Sequence, residues 1–148
     1  MLLRASTVLL LSAALLNPAL SASGVKSCAL TEQQFETAIN TLRDWQRIHA
    51  FHKAHFPQCP DDGYFAEGYS ELIVRTLATN WSSLSELRDA AQGDPMFKAF
   101  VIRHIDATTN KADLKYIVVS ANIRCPKGNV ALCANIREAA SLALNEFK

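Results

Sequence analysis

Between Leu30 and Phe147 the apolar residues recur at three- and four-residue spacing in every stretch that proline, glycine or a capping residue delimits. Nowhere do they alternate with period two over enough residues to make a strand, and Tyr116 to Val119, locally β-prone, sits inside a helical stripe. A chain patterned this way has to bury helix against helix, so the expected fold is all-α, a compact bundle of about six short helices.

The first helix is expected to open at Thr31, which caps while Gln34 answers as a capping box and Leu30 staples onto Phe35. Phe35, Ile39, Leu42 and Trp45 carry its stripe to roughly Ala50 or a little beyond. Pro57 and Pro60 break the chain, and Pro60 is placed to begin a second helix with Asp61 and Asp62 in its first turn, running to about Asn80. Phe65, Tyr69, Leu72, Ile73 and Thr76 share one side of it, with Glu67, Glu71 and Arg75 on the opposite ridge. Gly68 inside this helix costs roughly 1 kcal/mol relative to alanine, which is tolerable where another backbone crosses closely. Ser83-Leu84-Ser85-Glu86 reads as a capping box for a short helix ending at Gly93. Asp94-Pro95 caps the next, Met96 to about Asp106, buried through Phe97, Phe100, Val101 and Ile105. A helix over 110–125 is apolar on two sides: Leu114, Ile117, Val118, Ala121 and Cys125 form one face, and Tyr116, Val119 and Ile123 the other. Such a helix is central in the core or exposes a patch for a partner, and the sequence favours the central place. The last helix, capped by Asn129, is apolar along Leu132, Ile136, Ala140, Ala143 and Phe147.

Residues 1–21 have the layout of a cleavable export signal: Arg4, an apolar run from Val8 to Leu16, then Pro18-Ala19-Leu20-Ser21. The apolar run is too short for a membrane span of roughly 20 residues. Residues 22–148 are then one domain, exported to a periplasm or beyond, with no membrane insertion. Lys26 stands where a lipid-attachment box needs a small residue, so Cys28 is not expected to be lipidated. Losing Arg4 leaves 14 basic against 14 acidic residues, and a neutral chain has no long-range pull toward nucleic acid. Four cysteines, Cys28, Cys59, Cys125 and Cys133, make two disulfides in an oxidising compartment. Cys125 ends one helix and Cys133 lies one turn into the next, which pairs them and leaves Cys28 with Cys59. The rival connectivity joins Cys59 to Cys125 and Cys28 to Cys133, and it stays open because a straight first helix would hold Cys28 and Cys59 roughly 30 Å apart.

The densest chemistry lies in Pro57 to Leu72, with Cys59, Asp61, Asp62, Tyr64, Glu67, Tyr69 and Glu71. As a calcium loop it fails: aligning Gly63 with the invariant glycine puts Gln58 and Tyr69 where carboxylate ligands belong. Two carboxylates in different surroundings suffice for glycoside cleavage, so Asp62, Glu67 and Glu71 with His104 form a candidate hydrolase set, although nothing singles out a pair. Ser70 misses the nucleophile elbow because Leu72 replaces its last glycine. Arg103 and His104 suit a helix C-terminus, or tie Asp61 or Asp62 across the fold. His49, His52 and His55 follow at intervals of three, which turns the first and third roughly 120° apart and disfavours one shared metal ion. No phosphate-cradling loop occurs, and no cofactor is expected. Asn80-Trp81-Ser82 is a glycosylation sequon, of consequence only in a pathway that reads it.

Cys59-Pro60-Asp61-Asp62-Gly63, Ala66-Glu67-Gly68-Tyr69-Ser70, Trp81 and the run Phe97 to Asp106 together resemble a group of small exported bacterial proteins of unassigned activity. More loosely, a signal peptide on a small cysteine-containing helical domain with Gly63-Tyr64 and Gly68-Tyr69 is similar to periplasmic immunity proteins that neutralise type VI secretion effectors. Here those dipeptides lie one residue further apart than in that pattern. The resemblance implies binding, not catalysis. The expectation is an exported helical protein that binds another protein through Asp61, Asp62, Tyr64, Glu67, Tyr69 and Glu71, or through the Tyr116, Val119, Ile123 face. A small hydrolase and a metal-handling protein are the alternatives.

Overall fold

The computed structural model describes residues 28–147 except Pro57 and Pro60, so the expected export signal and the role of Pro60 as a first helical residue lie outside the described residues. Within them the fold is all-α, in seven α-helices: α1 Glu32–Thr41, α2 Trp45–His55, α3 Gly63–Thr79, α4 Leu84–Gly93, α5 Pro95–Arg103, α6 Lys111–Ile123 and α7 Val130–Asn145. A 3-10 turn, Trp81–Ser83, leads into α4.

The expected first helix is in fact two. Leu42 leaves α1 in an extended conformation (φ −75°, ψ 129°), and the Asp44 side chain accepts from the Arg47 N–H to start α2. That break lets α1 pack on α3 and α2 on α4, and Cys28 meets Cys59 with a Cα separation of 4.1 Å. Cys125 and Cys133 are joined across the α6–α7 turn, so the rival connectivity is excluded. The Thr31–Gln34 capping box forms as expected. At α4 the expected box does not form, because the Ser83 hydroxyl donates instead to the Asn80 carbonyl. Asn129 likewise precedes α7 without capping it, its amide donating to Ser85, Pro126 and Lys127.

Helix α3 sits between α1 and α6, α4 bridges α2 and α5, and α6 and α7 form an antiparallel hairpin. One core runs through all of them, centred on Phe35, Trp45, Tyr69, Leu72, Ile73, Phe97, Leu114, Ile117 and Ile136, each essentially without solvent contact. Phe35 is ringed by Phe65 and Tyr69, both with centroids 4.9 Å away in edge-on geometry, an arrangement aromatic quadrupoles favour. Gly68 is where α1 crosses α3: a Cβ there would stand 2.5 Å from Cε1 of Phe35. The glycine inside α3 is therefore a packing requirement.

Candidate functional site

Asp61 and Asp62 precede α3 instead of filling its first turn, since the helix begins at Gly63, whose φ of +47° a side chain would strain. This turns Asp61 inward. Its Oδ2 pairs with the Arg103 guanidinium, and its Oδ1 lies 3.0 Å from His104 Nε2, off the line of a hydrogen bond. The tie between the 59–62 loop and the end of α5 thus forms through Asp61 and Arg103, with His104 alongside. Tyr69 is also withdrawn from the surface: it is 1% exposed, and burial pushes its phenol up to about 12. Asp61 and Tyr69 therefore drop out of the expected contact surface, one neutralised inside an ion pair and the other facing Phe35 and Phe100.

Asp62, Tyr64, Glu67 and Glu71 do remain exposed. Helix α1 adds Glu32 and Glu36 beside them, two carboxylates that sequence reading passed over because they lie on another helix, Glu36 28 residues from Tyr64. The Tyr64 hydroxyl donates to Glu36 at 3.0 Å, and that hydrogen bond, with some desolvation and the two glutamates' charge, raises the phenol's pKa. Arg75 offsets part of this charge at 3.7 Å from Glu71, while its other nitrogen donates to the Ile39 carbonyl. The corner is polar, solvated and internally paired, and Tyr64 is its one exposed aromatic side chain.

Beneath the tie lies a network that no motif announced. The Ser70 hydroxyl donates to Asp106 Oδ2 at 2.6 Å, so its oxygen is free to accept from His104 Nδ1–H at 3.0 Å. Burial opposes the charge on Asp106, but hydrogen bonds from Ser70 and Thr108 outweigh it and hold the carboxyl below its ordinary range. Burial is also the main influence on His104, taking it down to about 4 despite Asp106 nearby. The charge of neighbouring Arg103 pushes the same way as burial. The residue types are those of a serine hydrolase, but Ser70 is 1% exposed inside α3 and commits its proton to Asp106. A serine that cannot meet substrate, and whose proton is held by a carboxylate while the histidine donates to it, is a clamp. Nor do Glu67 and Glu71 approach His104, which is 3% exposed while they stand on the outer ridge.

The three histidines of α2 go three ways. His49 pairs with Asp94 at 2.9 Å, His52 is buried among Phe56, Phe97 and Phe100, and His55 packs on Phe51. His52 finds no hydrogen-bond partner among the described residues, and burial lowers its pKa. No group of three or more His, Cys, Asp or Glu side chains converges among the described residues.

The second apolar face of α6 is at the surface. Tyr116 is 39% exposed, Val119 50% and Ile123 73%, three successive turns of one helix, which overturns the central placement favoured by its two-sided pattern. Helix α6 packs through Leu114, Ile117, Ser120 and Ala121 against α3 and α7, and among the described residues no element covers its other side. Tyr116 is held in place: Arg124 Nη1 donates to its hydroxyl at 3.1 Å with the guanidinium 5.6 Å from the ring centre. Trp81 in turn donates to the Arg124 carbonyl at 3.0 Å. An open groove of about 380 Å³ runs beside the pair, between Thr79, Trp81, Ser82 and Pro126.

No protein-family model, curated protein or solved structure matches the chain. The functional reading therefore rests on the residues and their geometry.

Proposed function

We propose that the chain is an exported helical binding protein whose contact surface is the Tyr116, Val119, Ile123 face of α6, and that it acts as an immunity factor or inhibitor of a wall-targeting enzyme. The observation that carries the choice of surface is the run of three exposed apolar side chains on one helix. Met96 is the one such residue of α5, and Val130 and Leu142 share α7 but lie twelve residues apart at its two ends, as scattered surface apolar residues do. Interface cores are enriched in tyrosine and arginine, and a Tyr116 already fixed by Arg124 loses little rotamer freedom on binding. Lys111, Lys115, Asn122 and Arg124 are exposed around the stripe and supply a polar rim. Two disulfides suit an oxidising compartment, and no described helix is long and apolar enough to cross a membrane.

Affinity purification from periplasm tests the surface. Val119→Asp with Ile123→Asp should abolish recovery of the partner while leaving the helical circular dichroism spectrum intact. Glu67→Lys with Glu71→Lys should leave recovery unchanged. The opposite pattern moves the contact surface to the α1–α3 corner.

A further inference from the structure

Lys111 and Lys115 are the exposed charged side chains of α6, and Arg124 is its exposed C-cap. Arg137 of α7 is also exposed and reaches across the hairpin to Asn122 at 3.0 Å. The helix's one carboxylate, Asp113, is half-buried in the first turn, where it complements the helix dipole. The exposed charges of α6 and its C-cap are therefore of one sign, in a molecule whose basic and acidic residues balance once the export signal is set aside. Of the exposed carboxylates, Glu32, Glu36, Asp62, Glu67 and Glu71 lie on α1 and on or just before α3, Glu86 and Asp89 on α4, and Glu138 and Glu146 on α7 and its C-cap, so α6 exposes none.

We infer that α6 docks a protein surface of complementary make-up, an apolar centre rimmed by carboxylates, with Arg124 as the carboxylate-binding fork. This rests on α6 being the contact surface. Arg124 uses Nη1 on the Tyr116 hydroxyl, and among the described residues its other guanidinium donors meet no acceptor, so the planar fork is held in position to take a carboxylate. Lys115 makes no ion pair or hydrogen bond among the described residues and lies next to Val119 on the exposed arc. Single-sign rims of this kind steer encounter and reject partners of like charge. Three exposed side chains on one thirteen-residue helix offer too narrow an apolar band to lodge in a lipid interface, where an amphipathic helix buries its whole apolar face.

The test uses two synthetic amphipathic helical peptides with the same leucine face, one flanked by glutamates and the other by lysines, titrated against the mature protein by fluorescence anisotropy. The glutamate peptide should bind and the lysine peptide should not, and raising salt from about 0.05 M to about 0.3 M should weaken binding several-fold by screening. Lys111→Glu with Lys115→Glu should reverse the preference. Binding of both peptides alike, or of neither, overturns the inference. So does binding to phosphatidylglycerol vesicles with both peptides ignored, which makes the face a lipid surface. Salt-sensitive self-association in sedimentation, abolished by the same two substitutions, overturns it in favour of a second copy. If Ile123→Asp removes the captured partner while the peptides are not distinguished, the contact surface stands and the charge inference falls. If Ile123→Asp leaves capture intact, the contact surface itself is wrong.

Discussion

Replacing Gly68 with alanine sets two effects of known size against each other. In an ordinary helix interior alanine is better than glycine by about 1 kcal/mol, because the unfolded chain has less freedom to lose. At Gly68 the new Cβ would stand 2.5 Å from Phe35 Cε1 and 3.1 Å from Ile39 Cδ1. Neither neighbour yields easily: Phe35 is 0% exposed and wedged between Phe65 and Tyr69. Overpacking of this kind costs about 1–3 kcal/mol, and a 2.5 Å approach to a ring with no room to move belongs at the upper end, so Gly68→Ala should lose about 2 kcal/mol net, roughly 5–8 °C in midpoint for a domain of this size. Gly93, the last residue of α4, is the internal control, because a Cβ there meets nothing within 4 Å. Gly93→Ala should be neutral or gain up to about 1 kcal/mol. Thermal and urea denaturation followed by circular dichroism measure both. Phe35→Leu in the Gly68→Ala background should restore part of the loss, giving a double variant less destabilised than the two single changes added together. If Gly68→Ala proves as stable as the parent, α1 and α3 do not meet at this point and the account of the glycine is wrong.

Two further outcomes follow from the buried groups and the bridges. His104 has a folded pKa of about 4 against an ordinary 6.5, so the unfolded chain binds more protons between those values; stability is complete above pH 6.5 and is lost as pH falls toward 4. At about 1.4 kcal/mol per pH unit the loss approaches 3 kcal/mol, His52 adds to it in the same direction, and urea midpoints of His104→Gln should fall less steeply through that window than those of the parent. Chain-entropy arithmetic gives about 4 kcal/mol for the Cys28–Cys59 bridge, which closes 31 residues, and about 2.5 kcal/mol for Cys125–Cys133, which closes 8, so paired serine substitutions should destabilise in that order.

Much of the architecture was legible because local signals agreed with one another. Thr31 with Gln34, and Asp94 with Pro95, mark helix starts by side-chain chemistry alone, and the stripes through Phe97 and Ile136 are buried where their spacing put them. The break between α1 and α2 was hidden because Leu42 and Trp45 keep a three-residue spacing straight through it; only Asp44, a residue suited to capping, marked the restart. Tyr69 was wrongly offered to a partner although the helical wheel already set it on the Phe65 side, and the wheel prevails because α1 and α5 close over that side. The two apolar faces of α6 could not be ranked by pattern, since periodicity records which side chains avoid water and not what covers them. The Ser70–His104–Asp106 clamp joins residues 34 and 36 positions apart, and no local rule connects them.

Each disulfide joins cysteines that are neighbours in chain order, first with second and third with fourth. An oxidant that meets the thiols in the sequence in which they emerge therefore makes the native bonds directly. Reoxidation of the reduced chain should accordingly reach the native pairing without a shuffling catalyst.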